Sequence, residues 1–247
     1  MRGYVTFLLV LASLFFTLIV IGASQKPYDI SFSKAIAAER TYGVAMNSKE
    51  VAAEAMRQGG LEGFGIYNST HSQAICNNPD LGGQSNPFCF RIEEAKIWVI
   101  EGAFYNLATL DKTAFDPEMD VRLYCAPLVS DDMMREHAKQ IRAGSLVCSG
   151  CKEFNTTANN ISELAQGIID SLPKDTDGLP DYSAAQLPLC MASIIPQITS
   201  NLDPNENPDL TSITIDNPLV VSVYYPDFNV SAVSYLPASY KIYEANP

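Results

Sequence analysis

Six cysteines carry most of the chemical potential of this chain: Cys76, Cys89, Cys125, Cys148, Cys151 and Cys190. An even set of six allows three disulfides in fifteen connectivities. Cys148-Ser-Gly-Cys151 is a CxxC, the spacing of a redox dithiol or of half a zinc site. A redox pair normally opens a helix, whose N-terminus lowers the thiol pKa. Here Lys152-Glu153-Phe154 leads into Asn-Thr-Thr, a loop signal. Zinc normally takes a second pair of cysteines or histidines at ligand spacing. The chain has two histidines, His71 and His137, and neither stands at that spacing. The six cysteines therefore read as structural disulfides, with a thiol oxidoreductase using Cys148 and Cys151 as the alternative. Cys76 and Cys89 bracket NNPDLGGQSNPF, a loop that a local bridge would stabilise by about 3 kcal/mol.

Other reactive constellations are isolated. Ser31-Phe-Ser-Lys34 has the S-x-x-K spacing of penicillin-binding enzymes without their companion motifs. Glu136-His137 reads as a solvated helical pair, and Glu93, Glu94 and Glu101 as a charged surface. No GxSxG, HExxH, phosphate-loop or dinucleotide fingerprint occurs. Asp175, Asp177 and Asp181 alternate in a loop that resembles one truncated thrombospondin type 3-like calcium repeat, so calcium binding is a further alternative. Asp203, Asn205, Asn207 and Asp209 also alternate. Pro208 stands where an EF-hand needs glycine, and no glutamate closes that loop. Both loops read as solvated acidic segments. The expectation is a protein without catalytic residues, metal or cofactor.

Asn-X-Ser/Thr sequons begin at Asn68, Asn155, Asn160 and Asn229, which are the candidate glycosylation sites. With the cysteines they favour an oxidising, extracytoplasmic compartment and a glycoprotein at the cell surface.

What must position this body is visible in the charge distribution. The 247 residues hold 16 basic and 28 acidic side chains, a net charge of −12. Residues 3–25 carry none of them, so 26–247 hold 15 basic and 28 acidic groups, a net of −13. That excess excludes electrostatic binding of nucleic acid, which needs a basic surplus against phosphates. Tyr4 to Gly22 are 19 uncharged, mostly apolar residues. As a helix they span roughly 28 Å, close to the hydrocarbon thickness of a bilayer. Residues 1–25 are thus expected to be a hydrophobic transmembrane anchor. Gly22-Ala23-Ser24 offers a small-residue signal-peptidase site as an alternative fate. Lys26, Lys34 and Arg40 follow the segment and Arg2 precedes it, so basic residues alone leave its orientation open.

Met1-Arg2-Gly3 directly before the apolar run resembles the class III leader of type IV pilin-like proteins. Leu8 stands where many bacterial pilins have glutamate, which points to the archaeal or minor-pilin type. The resemblance covers about the first 45 residues. It implies cleavage after Gly3, a retained helix that first anchors in the membrane, and self-association of that helix in a filament core.

After the anchor, 26–60 reads as an amphipathic helical stalk. Ala35, Ala38, Tyr42 and Ala45 share one helical face. Asn47 with Glu50 forms a cap signal near which the helix could be interrupted, and Gly59-Gly60 is the expected stop. Residues 61–247 form the extracytoplasmic domain. Helices are expected over Asp131–Ala143 and Asn160–Leu172, the latter with an Asn160/Glu163 capping box. Phe88–Leu110 reads as a strand at Phe88, Phe90 and Ile92, but as a helix from Ala95 onward. Strands are expected at Ile213–Ile215, Leu219–Tyr225, Val230–Leu236 and Tyr240–Tyr243, after an exposed loop over 195–211. The fold class is α+β: an N-terminal transmembrane helix, an amphipathic helix, and a disulfide-stapled head ending in antiparallel strands. The expected role is structural or adhesive, a membrane-anchored and self-associating subunit.

Overall fold

The computed structural model describes residues 2–75, 89–111, 113, 115–125, 152–174, 180–182, 187–199 and 208–245. Side chains are described from Ser31 onward, excluding 72–75, 89 and 189. The Asp131–Ala143 helix therefore lies outside the described residues.

Helix α1 is a single element, Arg2–Thr70, of 69 residues. Its head-facing stripe is Ala37, Thr41, Ala45, Ser48, Ala52 and Met56, at spacings of three and four. This corrects the expected face: Ala45 belongs to it, while Ala35, Ala38 and Tyr42 are exposed. The stripe that wins consists mostly of smaller side chains, which let the helix seat closely. Neither Asn47 nor Gly59-Gly60 ends the helix. Glycine inside a helix costs about 1 kcal/mol relative to alanine, but here Gly59, Gly60 and Gly63 are buried at a helix crossing.

That crossing is with α2, Ile92–Ala108, which is buried on most of its circumference and forms the centre of the head. Short strands β1 (Ser72–Ile75) and β2 (Cys89–Phe90) pair in parallel between the helices. Phe90 thus belongs to a strand, whereas Ile92 already opens α2.

The remaining strands form two antiparallel sheets. β3 (Asp120–Cys125), β4 (Lys152–Glu153), β7 (Leu219–Tyr225) and β8 (Val230–Leu236) are ordered β4-β3-β7-β8. β5 (Ile194–Thr199), β6 (Asp209–Ile215) and β9 (Tyr240–Glu244) are ordered β5-β6-β9. β5 occupies part of the segment expected as a loop. Ile194 and Pro196 are buried while Ile195 and Gln197 are exposed, the alternation of a half-buried strand. Pro196 is tolerated because β5 lies at a sheet edge. The chain crosses between sheets after β6 and returns after β8, through a turn in which Ser239 has φ 62°. Helix α1 lies against α2 and against strands of both sheets.

Helix α3 (Ile161–Ser171) matches its sequence signal. The Asn160 side chain accepts from the Glu163 amide at 2.8 Å, and the Glu163 carboxylate accepts from the amide of Asn159 at 2.9 Å. The reciprocal bond is thus displaced by one residue from an ideal capping box. Asn160→Ala should lower the unfolding free energy by about 1 kcal/mol in a urea titration.

A short helix, α4 (Leu189–Ala192), immediately precedes β5 and carries Cys190. Cys190 is disulfide-bonded to Cys125 at the end of β3, with Cα atoms 5.4 Å apart. The bond joins the four-stranded sheet to the entry of the three-stranded one.

Candidate functional site

Three groups of residues give α1 its position and its free surface. The first is the outward face. On a helix with 100° per residue, Phe32 and Ile36 lie opposite the Ala37–Ala52 stripe, and Gly43 continues their line. Phe32 is 69%, Ile36 51% and Tyr42 58% exposed, with Tyr42 flanking the same side. Exposed Glu39 lies on the same face, and from Asn47 onward the face is polar throughout, with exposed Glu50 and with Glu54 paired to Arg57 at 2.6 Å. The outward surface from Phe32 to Gly43 is thus apolar apart from Glu39, and Lys26 and Asp29 separate it from the uncharged N-terminal run.

The second group fixes that seat. Arg40 pairs with Asp116 at 2.6 Å and with Glu118 at 2.7 Å, and its guanidinium lies 5.4 Å from the centre of the Tyr225 ring. Tyr225 donates its hydroxyl to Glu118 at 2.9 Å. That hydrogen bond, then Arg40, holds the Glu118 carboxyl below the usual carboxylate range. Asp116 is buried, so losing Arg40 would leave a buried carboxylate uncompensated. Further along, Ser234 of β8 donates to the Met46 sulfur at 3.5 Å. These contacts lock the middle of α1 to the four-stranded sheet.

The third group closes the other end. The Tyr67 hydroxyl accepts from the Arg91 amide at 2.9 Å, so a side chain from α1 satisfies the first orphan donor before α2. Tyr67 stacks on His71 with ring centres 4.0 Å apart. Glu94 lies 3.8 Å from His71 Nε2 and 3.7 Å from Arg91, and interacts with Tyr182. Burial raises the Tyr182 and Tyr67 phenols above their ordinary range. The acid–base residues in this network are committed to one another, so it acts as a joint between helices and the 180–182 segment.

Two of the glutamates expected on a charged surface are buried instead. Glu93 does remain outside, paired with Lys96 at 2.7 Å. Glu94 joins the network just described, and Glu101 is fully buried with both carboxyl oxygens unpartnered. α2 is enclosed on most sides, which leaves few positions for solvent-facing charge.

The other candidate residues fall as follows. Ser31 and Lys34 are exposed on α1. Asn155 and Asn160 are exposed, Asn68 is half-buried, and Asn229 is exposed at φ 50° with its side chain accepting from Tyr224. Asp181 donates its amide to Pro173 at 2.8 Å, beside a Lys174–Pro180 bridge. Cys76, Cys148, Cys151, Glu136, His137, Asp175, Asp177, Asp203, Asn205 and Asn207, with the Cys89 side chain, lie outside the described residues. So do the side chains of Tyr4–Gly22; among the described residues no helix is long and apolar enough to cross a membrane. The Arg40 and Tyr67 networks left no signal in the sequence, because the contacts that join α1 to the rest of the head, Tyr67 to Arg91 and Arg40 to Tyr225 among them, span 24 to 185 residues. No protein-family profile, curated protein or solved structure matches the chain.

Proposed function

We propose that this protein is a membrane-anchored, extracytoplasmic structural subunit of the pilin-like kind. The N-terminal part of α1 would pack against the same helix of neighbouring copies, while the disulfide-stapled acidic head faces outward. The observation that carries this reading is the division of labour along α1. One unbroken helix runs from Arg2 to Thr70, its head-facing stripe begins at Ala37, and the opposite side carries exposed Phe32, Ile36 and Tyr42. Isolated exposed apolar residues need no explanation. Here three lie within residues 32–42 on the side of α1 that the head leaves free, interrupted by exposed Glu39 and a few residues beyond a 23-residue uncharged run, which supports a helix-packing surface. The Cys125–Cys190 bond supports an oxidising compartment.

A Phe32→Asp/Ile36→Asp double variant tests the reading. Its head should fold normally, because both side chains point away from it. Its yield in sheared high-mass assemblies should fall by more than about tenfold, since burial of one such side chain is worth about 1.5–3 kcal/mol. The intact mass of the native protein provides a second test. Loss of Met1–Gly3 supports the pilin-like form. An unprocessed N-terminus with no assemblies leaves a plain anchor, and removal of about 24 residues rejects the reading, as that cut follows the small-residue site.

A further inference from the structure

Glu101 stands apart from every contact that seats α1. Its side chain is fully buried, and neither carboxyl oxygen has a hydrogen-bond partner. On α2 it points about 100° away from Gly102, whose backbone meets Gly59 and Gly63 on the α1-facing side. We propose that Glu101 makes the packing of α2 a proton-controlled latch: it is carried inside the head as the neutral acid, and ionisation of that carboxyl loosens α2 from the elements packed around it. This stands independently of how the N-terminal part of α1 is used.

The physical basis is the cost of an unpaired carboxylate away from water, which is large enough that the group takes up a proton instead. Among the described residues, the elements packed against α2 supply no compensating charge. On α1, the Tyr67 hydroxyl is committed to Arg91, while Glu54 and Arg57 pair with each other and Glu62 is exposed. On α3, Glu163 is bonded to Asn159 and Asp170 accepts from Gln166. β5 has no titratable side chain, and Cys190 of α4 is in a disulfide. On α2 itself, Glu93 and Lys96 pair, Glu94 joins His71 and Arg91, and Tyr105 donates to the Asn159 carbonyl at 2.7 Å.

Burial pushes the Glu101 carboxyl up to about 7 from an ordinary 4.5. The folded chain then holds a proton that the unfolded chain has released over that interval, so stability falls as pH rises from 4.5 to 7 and levels off above it. Between pH 5 and pH 8 the unfolding equilibrium constant should rise by about 70-fold from this group. The Glu118 carboxyl shifts the other way, so its contribution is lost only in acid below its ordinary range.

The test uses the full chain in detergent micelles with urea unfolding. The single tryptophan, Trp98, is buried on α2 one turn from Glu101 and serves as the probe. The wild type should show the fold-change above, and Glu101→Gln should remove it while unfolding less readily than wild type at pH 8. Hydrogen exchange corrected for intrinsic rates should rise at pH 8 over residues 95–104 of α2 in the wild type alone. An identical pH dependence in both proteins would overturn the proposal, as would a rise spread evenly over the head. Should the glutamine variant fail to fold, infrared spectra of the wild type decide: a carboxylic-acid C=O band present at pH 5 and lost by pH 8 supports the latch, and its absence at pH 5 rejects it.

Discussion

Gly102→Ala should destabilise the head by about 1–3 kcal/mol, the usual cost of overpacking a close-packed seam. A methyl group added at Gly102 would overlap the Gly59 carbonyl oxygen and lie 2.9 Å from its carbon and 3.1 Å from the Gly63 Cα. The clash is backbone against backbone, so no side chain can rotate to relieve it. Helix propensity pushes in the opposite direction, since alanine is favoured over glycine by about 1 kcal/mol inside a helix. The control follows from the same accounting. A Cβ at Gly65 of α1 or Gly167 of α3 would meet nothing within 4 Å, so alanine there should be neutral or stabilising by up to about 1 kcal/mol. Urea midpoints for the three variants therefore separate by sign. A stabilising Gly102→Ala would show that α1 and α2 do not meet backbone to backbone.

The same glycines show where sequence reasoning succeeds and where it stops. Local signals were sufficient for α3, whose cap and stop lie within twelve residues of each other, and for β7 and β8, whose Val- and Tyr-rich runs are bounded by Asn, Asp and Pro. Gly59-Gly60 has two physical meanings: unpacked, the pair ends a helix, and opposed by Gly102 it lets two helices touch. Nothing near residue 60 distinguishes them, because the deciding partner is 42 residues away. Glu101 was misread for a related reason. A glutamate in a chain written IWVIEGAF would normally mark the water-facing side, yet α2 is covered by α1, β5, α3 and α4. The seat of α1 was half legible. Its periodicity was evident, but a face of Ala35, Ala38, Tyr42 and Ala45 is nearly as regular as the one that the sheet selects. Arg40 held by Asp116 and Glu118 adds the specificity, and that choice depends on partners far along the chain.

Removing the Cys125–Cys190 bond by a Cys125→Ala/Cys190→Ala pair should cost about 4 kcal/mol of unfolding free energy, from the chain entropy of a loop with a separation of 65 residues. The double variant is the proper comparison, because one remaining thiol could exchange with the other cysteines. A local effect should add to this global one. Cys125 ends β3 and Cys190 lies in the short helix that enters β5, so the bond ties together two sheets that share no strand pairing. The amide of Asp216, which donates to the Ser193 carbonyl at 2.7 Å, extends the β5–β6 pairing within the three-stranded sheet and does not join the two sheets. Amides that exchange through global unfolding should accelerate throughout the head, and those in β3 and β5 should accelerate further through local opening of the sheet junction. A loss under 1 kcal/mol would mean that the sheets are held by packing alone. A uniform acceleration with no excess in β3 and β5 would mean that the disulfide acts only through the unfolded chain. The expected excess at the sheet junction makes the bond a tie that holds the two sheets together beneath α1 in the folded state.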